Sequence, residues 1–338
     1  MNLLQTHATR LMGLSVAVPQ HRVSNERLPQ LSPTECQELI TYVGIRYRHL
    51  SQKQTLSDLL RPAVQQLLKK CSVPAQEVGL LVLITQTGDQ QVPNTAIGLQ
   101  HILDLPTSAL CIEINMGCAG YVYGLYLVSL LLQSLESSYA LFLNGDISTL
   151  LVKEHNKGVL PIFSDAVSAT LLTKDEKAEP WSFCLNNDGK DREAIRMISP
   201  NWEDPWAFYP HASLHVDGTV ILSFALRQVA QQVRSFMHKT SCSEQSVDYF
   251  IFHQANRIIN ESLRTKLNIP AHKYPYSLYH FGNTSSATIP LTMASELSVP
   301  LSTRSSDLLL CGFGAGLSWA TALLPKTPPF EILPIHHV

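Results

Sequence analysis

The stretch LCIEINMGCAGYVYGLYLVSLLL, residues 110–132, decides the fold. Residues 110–115 predict a strand, and the apolar run 119–132 predicts a buried helix, because a bilayer span needs ~20 such residues. Between them stand Gly117, Cys118, Ala119 and Gly120. Cys118 therefore follows a strand and precedes a helix. A helix N-terminus favours negative charge and carries free N–H groups. It predicts a thiol of lowered pKa and backbone donors for an oxyanion. A buried, inert cysteine in a tight turn fits the same local pattern equally well.

The surroundings repeat one unit twice. In the first half, residues 78–84 predict a buried strand and 94–103 a helix. The 110–132 run follows, then strands at 139–144 and 166–172. In the second half, 247–252 predict a strand and 257–267 a helix. Residues 276–279 stand where the second strand belongs, before Gly282 and Asn283, and 287–297 predict a helix. Strands at 307–311 and 317–324 complete the unit. Apolar runs alternating with helices imply an α/β protein with parallel-rich sheets covered on both faces. The reading is two duplicated, mixed α/β halves, 1–176 and 177–338, with the site at their junction, at strand ends. Residues 174–180 and 199–210 read as surface loops, a lid or an interface. Asp217 reads as the N-cap of a helix reaching about Lys239. The tail after Lys326 reads as an exposed extension.

Composition narrows the function. The chain has 338 residues, 45% hydrophobic and 15% charged, with a net charge of −2. That suits a large core and gives no basic field for nucleic acid. Residues 1–19 lack the plan of a signal peptide, and no run spans a membrane. The seven cysteines form no Cys-x-x-Cys pair and no zinc spacing. Reduced thiols in a cytoplasmic protein are expected, with no metal site.

Two further sites stand out. His253 ends an apolar strand and opens His-Gln-Ala-Asn, a good position for chemistry, although a lone histidine there is more often a satisfied polar residue. Asn283 lies in a glycine-containing turn before a helix, where a turn or cap role is the commoner one. The run from Gly312 to Gly316 lacks the Lys-Ser/Thr of a P-loop and the spacing of a dinucleotide site.

Taken in order, these motifs resemble the β-ketoacyl-ACP synthase III family of thiolase-fold condensing enzymes, across about residues 11–324. The resemblance rests on Gly44-Ile45-Arg46, on Asn115 to Gly120 and on His253 to Asn256. It continues through Gly282 to Ser285 and Gly312 to Gly316. It implies a thiolase-like fold, with Cys118 taking an acyl group from a thioester. His253 and Asn283 would hold the carbonyl of a malonyl-type thioester during decarboxylation. The backbone N–H groups of Cys118 and Ala315 would form the oxyanion hole. It also implies a homodimer in which Val92, before Pro93, reaches the partner's acyl pocket; Phe313 is a second pocket candidate.

The implied substrates are acyl-CoA or the phosphopantetheine of an acyl carrier protein, with no other cofactor. The chain departs from the pattern at Glu38 and Tyr42, where the family has Trp and Arg for coenzyme A, and at Lys157, where it has Arg. These changes point to a specialised branch in secondary metabolism or glycan modification. Decarboxylative condensation is the leading expectation. Acyl transfer to a hydroxyl or amine is the alternative. A non-catalytic subunit of a heterodimer is a third reading, which the full Cys118, His253 and Asn283 set opposes.

Overall fold

The computed structural model describes residues 2–153, 156–198 and 213–338. The loop or lid expected at 199–210 lies outside the described residues.

The first half builds a sheet from β2 (Thr9–Val18), β3 (Val78–Ile84), β4 (Leu110–Ile114), β5 (Tyr139–Asp146) and β6 (Ala166–Lys174). Their spatial order is β2-β6-β5-β3-β4. β3 runs parallel to both β4 and β5, while β6 is antiparallel to β5 and β2. The second half builds the order β7-β10-β9-β8 from β7 (Trp181–Asn187), β8 (Tyr249–Phe252), β9 (Ser306–Gly314) and β10 (Ser318–Thr327). Here too the first pair, β8 and β9, is parallel, and the strands beyond it are antiparallel.

Helices fill three layers around these sheets. α4 (Gly120–Gln133) and α8 (Thr288–Glu296) lie between the sheets. Their buried residues, Val122, Leu125, Val128, Ile289 and Met293 among them, share one core with strands of both sheets. α2 (Leu56–Lys70) and α3 (Thr95–Ile102) cover the outer face of the first sheet. On the second sheet lie α5 (Gly218–Phe224), α6 (Ala230–Lys239) and α7 (Arg257–Lys266). α1 (Pro33–Val43) packs against α7. A helix as apolar as α4 needs burial over most of its surface, and the inter-sheet layer covers most of it, leaving Leu130 39% exposed. Among the described residues, no helix is long and apolar enough to cross a membrane.

Two expectations change, and the helix expected from Asp217 to Lys239 holds with an added irregularity. Residues 276–279 are not a strand. Phe281 N–H bonds to Ser277 O and Gly282 N–H to Leu278 O, so the segment closes into the short helix Leu278–Phe281. The second sheet therefore has no counterpart of β4. The helix begun by Asp217, whose Oδ1 accepts from Thr219 and Val220 N–H, reaches Lys239 only through a π-helical turn at Ala225–Val229. The tail is not an exposed extension. β11 (Glu331–Ile332) and β12 (His336–His337) add in parallel to β2, with Phe330 and Leu333 buried. They cover an edge that would otherwise offer unpaired backbone groups. The chain ends also cross over, because β1 (Leu4–Thr6) pairs with β7 of the second sheet. Sheet membership thus does not follow a single cut at 176/177.

The tail is a stabilising element. Burying a side chain such as Phe330 or Leu333 contributes ~1.5–3 kcal/mol. Removing residues 329–338 is expected to lower unfolding stability by about 3 kcal/mol or more, read as a lower urea midpoint. An unchanged midpoint would show that the added strands contribute nothing.

Candidate active site

Cys118, His253, Asn283, Ser285, Phe313 and Ala315 line a single cavity of about 280 Å³ between the halves. Each stands at an element end: Cys118 just before α4, His253 just after β8, Asn283 shortly before α8 and Ala315 just after β9. The junction of the two units brings them together from positions as far apart as 118 and 315.

The N-terminus of α4 differs from those of α1 and α2 and resembles that of α8, which follows Ala287 without a side-chain cap. α1 is closed by a capping box between Ser32 and Glu35, and α2 by one between Thr55 and Asp58. α4 begins after Ala119 with no side-chain cap. Its first N–H groups thus have no side chain competing for them, next to a thiol that is only partly buried. Two glycines of β9 let this helix end come close. A Cβ on Gly314 would stand 2.7 Å from Cys118 Cβ and 3.2 Å from its Sγ. A Cβ on Gly312 would stand 2.9 Å from Ala119 Cα. Van der Waals packing needs more room than that. This steric demand is what the glycines of the 312–316 run meet, and it is not phosphate binding.

His253 is held at both ends. Its backbone N–H donates to Cys311 O at 2.8 Å, and its carbonyl accepts from Asn260 Nδ2 at 2.9 Å. Ring atom Nδ1 lies 2.7 Å from Thr288 Oγ1, and the Phe313 ring stands edge-on at 5.4 Å. Asn283 is fixed by a bridge to residues 162–164. Its N–H donates to Ile162 O, and its carbonyl accepts from Ser164 N–H, both at 2.9 Å. Its side-chain Oδ1 accepts from Ser285 N–H at 2.9 Å. That bond orients the amide, leaving Nδ2 as a donor with one long contact, 3.4 Å, to Ala255 O.

Residues 112–189 match the family described as 3-oxoacyl-[acyl-carrier-protein (ACP)] synthase III, and residues 237–326 match its C-terminal counterpart. The chain belongs to the β-ketoacyl-ACP synthase III family. It is 26% identical over 311 residues to the β-ketoacyl-[acyl-carrier-protein] synthase III of Streptococcus uberis, covering 91% of this chain and 96% of that one. A 3-oxoacyl-(acyl-carrier protein) synthase structure from Burkholderia xenovorans LB400 superposes with a TM-score of 0.94 at 29% identity, covering 100% and 99% of the two chains. The synthase III structure from Pseudomonas aeruginosa PAO1 gives 0.83 at 25% identity, covering 96% and 100%. The fold is the thiolase fold of these synthases.

Within this synthase III site, the electrostatics differ from the sequence expectation. The Cys118 thiol is not lowered at rest. Burial, followed by the nearby Asp146 charge, pushes its pKa up to about 12. Burial likewise raises Asp146 to about 6, although hydrogen bonds from Gln86, Thr85 and Thr87 favour its charge. Sequence reading ended the third strand at Asn144 and so missed Asp146, which closes β5 at its C-terminal end. It also gave no separate role to Ser285 or to Thr288. The signal for Asp146 was its place at the end of a parallel strand, where sites of α/β proteins gather.

Val92 does not line the cavity of its own chain and is 88% exposed. Phe313 does line it. Glu38 and Tyr42 lie exposed on α1, and Lys157 interacts with Glu35 of the same helix. Asn156 and Gly158, on either side of Lys157, line the cavity.

Burial lowers the His253 pKa from 6.5 to about 3. Between those values the unfolded chain binds a proton that the folded chain refuses. This residue's contribution is thus lost as pH falls from about 6.5 toward 3. Asp146 acts with the opposite sign. The folded chain holds its proton between 3.8 and about 6, so its cost to stability eases as pH falls through that range. The ring resonances of His253 are therefore expected to show no titration between about pH 5 and 8 by NMR. A midpoint near the ordinary histidine value would contradict this account of the site.

Proposed function

We propose that this condensing enzyme loads an acyl group on Cys118 and joins it to a malonyl-type thioester by decarboxylative Claisen condensation. The convergence of Cys118, His253 and Asn283 on one small cavity carries the reading. The partly accessible thiol attacks the acyl thioester, and backbone N–H groups of Cys118 and Ala315 receive the oxyanion. The malonyl thioester then binds with its carbonyl oxygen toward Asn283 Nδ2 and His253 Nε2. Thr288 Oγ1 has one proton for two acceptors, Ser285 O at 3.1 Å and His253 Nδ1 at 2.7 Å; in the tautomer where it donates to Nδ1, Nε2–H is the second donor. As CO2 leaves, negative charge grows on that oxygen, where the donors stabilise it. The resulting carbanion attacks the acyl-Cys118 carbonyl and frees the thiol.

The relatives are named for acyl carrier protein, and the same donor is proposed here. No additional cofactor takes part, and coenzyme A thioesters are the second possible donor. Two chains would join along β4. This outer strand of the first sheet has no neighbour on one side and carries exposed Leu110, beside exposed Ile97 and Ile102 of α3. Val92 of one copy would then be available to the partner's acyl pocket. Glu38 and Tyr42 support a specialised branch of the family.

Two experiments follow from this chemistry. Cys118→Ala is expected to release CO2 from malonyl carrier protein, while adding Asn283→Ala lowers that release by ~100- to 1000-fold, the usual cost of one oxyanion donor. Labelled malonyl carrier protein measures it. Transfer to an alcohol or amine with no CO2 above background would establish the alternative reaction. Separately, loading from an acyl carrier protein should exceed loading from the matching acyl-CoA in kcat/KM. A missing charge-assisted contact costs about 1.5–3 kcal/mol, roughly 10- to 150-fold. A clear preference for the coenzyme A thioester would remove the argument from Glu38 and Tyr42.

A further inference from the structure

Asp146 has no task in the steps above, yet it is fully buried behind the cavity lining, close enough to Cys118 for its charge to act on the thiol. Its two oxygens are treated differently. Oδ1 accepts three hydrogen bonds, from Gln86 N–H at 2.6 Å, Thr85 Oγ1 at 3.1 Å and Thr87 Oγ1 at 3.3 Å. Oδ2 is buried with no hydrogen-bond partner. Leaving such an atom unpaired costs free energy, so its retention calls for an account. The turn that carries Ser285 packs on the end of β5, where Asn144 Nδ2 donates to Ser286 Oγ at 3.4 Å, and Ser285 shares the cavity lining with Cys118. Its hydroxyl, though not within bonding distance of Oδ2, is near enough to favour the charged forms of both Asp146 and Cys118. Ser285 is itself buried and holds a left-handed backbone, φ 53°, which is rare for a residue other than glycine.

We propose that Asp146, acting through the Ser285 hydroxyl, receives the Cys118 proton as the thiol is acylated and returns it to the departing thiolate. The inference rests on the reading of Cys118 as the acylated residue. The balance is closed. The Sγ–H bond breaks as Sγ bonds to the thioester carbon. That proton passes to Ser285 Oγ, whose own proton passes to Oδ2. When the tetrahedral intermediate collapses, the carbon–sulfur bond of the donor breaks, and the proton travels back to the pantetheine sulfur. Asp146 ends ionised, as it began.

Charge decides between this route and His253. Moving a proton from a neutral thiol to a carboxylate relocates one negative charge within the pocket. Moving it to a neutral imidazole creates a cation and an anion where there were none, which a buried site resists. The directions of the two shifts, His253 down to about 3 and Asp146 up to about 6, agree with that argument. Asp146 and Ser285 are positioning and relay residues and need not touch the substrate.

The test compares two reactions of one thiol in Asp146→Asn. Asn keeps the shape and an oxygen for the three donors, while its amide group replaces the unpartnered oxygen. Loading is followed by intact mass after mixing with octanoyl carrier protein, and intrinsic reactivity by the rate of iodoacetamide alkylation of Cys118. Removing the neighbouring charge makes the thiolate easier to form, so alkylation is expected to rise. Loss of the proton acceptor is expected to slow loading by about 100-fold, the usual scale of general-base catalysis. Opposite movement of the two rates supports the relay; loading that holds or rises with alkylation overturns it.

Should both rates fall together, Ser285→Gly decides, because glycine suits the left-handed backbone, removes the hydroxymethyl group and keeps the N–H that orients Asn283. Loading at least about 10-fold slower, with alkylation unchanged, supports the relay; wild-type loading overturns it. A wild-type chain that takes no acyl group on Cys118 at all overturns the reading beneath it instead, and this one falls with it.

Discussion

The close approach of β9 to the start of α4 is the constraint on which the rest depends. Gly312 and Gly314 leave no side chain between the second sheet and the Cys118-Ala119 backbone. A side chain on Gly314 would push against the nucleophile itself, and one on Gly312 against the first turn of the helix. With both absent, Ala315 is carried to the same cavity as Cys118. The two duplicated units could otherwise pack through their helices with a gap at this end. It is the glycine contact that turns a junction into a site.

The same contact sets the electrostatics. Packing that brings the helix end close to β9 also keeps water from the thiol, so burial opposes ionisation there. An uncapped helix N-terminus acts in the other direction, but only on charge that has begun to form. Burial thus favours the neutral forms of Cys118 and His253. In the proposed reaction the donors would gain most when negative charge appears, which is differential stabilisation.

Much of this was legible in the sequence, for identifiable reasons. The run 119–132 could only be a buried helix, and the apolar strand at 78–84 has the bounds that the structure shows. Position beside strand and helix ends drew notice to Cys118, His253 and Asn283, but only the ordered motifs that resemble the family, not local pattern, singled them out. What escaped reading depends on tertiary contact. The segment 276–279 looks like a strand by its place in the repeat, yet it closes a helical turn ahead of Gly282, where φ is positive. The tail carries only short pairing segments, too brief for a periodic signal, and it is ordered by the open edge of β2. Asp146 was hidden by a strand bound set two residues early.

The lost strand also explains why the halves differ in task. In the first unit, β4 leads directly into the Cys118 turn, so Cys118 hangs from a ladder with β3. In the second unit, the corresponding segment is free of any sheet. It instead reaches the first half, where Arg46 N–H donates to Tyr279 O and Asn283 exchanges two backbone bonds with residues 162–164. The Asn283 backbone is therefore fixed by the opposite half, while its side-chain amide is oriented within its own half by Ser285 N–H. The two halves thus present two turns in corresponding places, one continuous with a strand and one crossing the junction, and that crossing gives the cavity two chemically different walls.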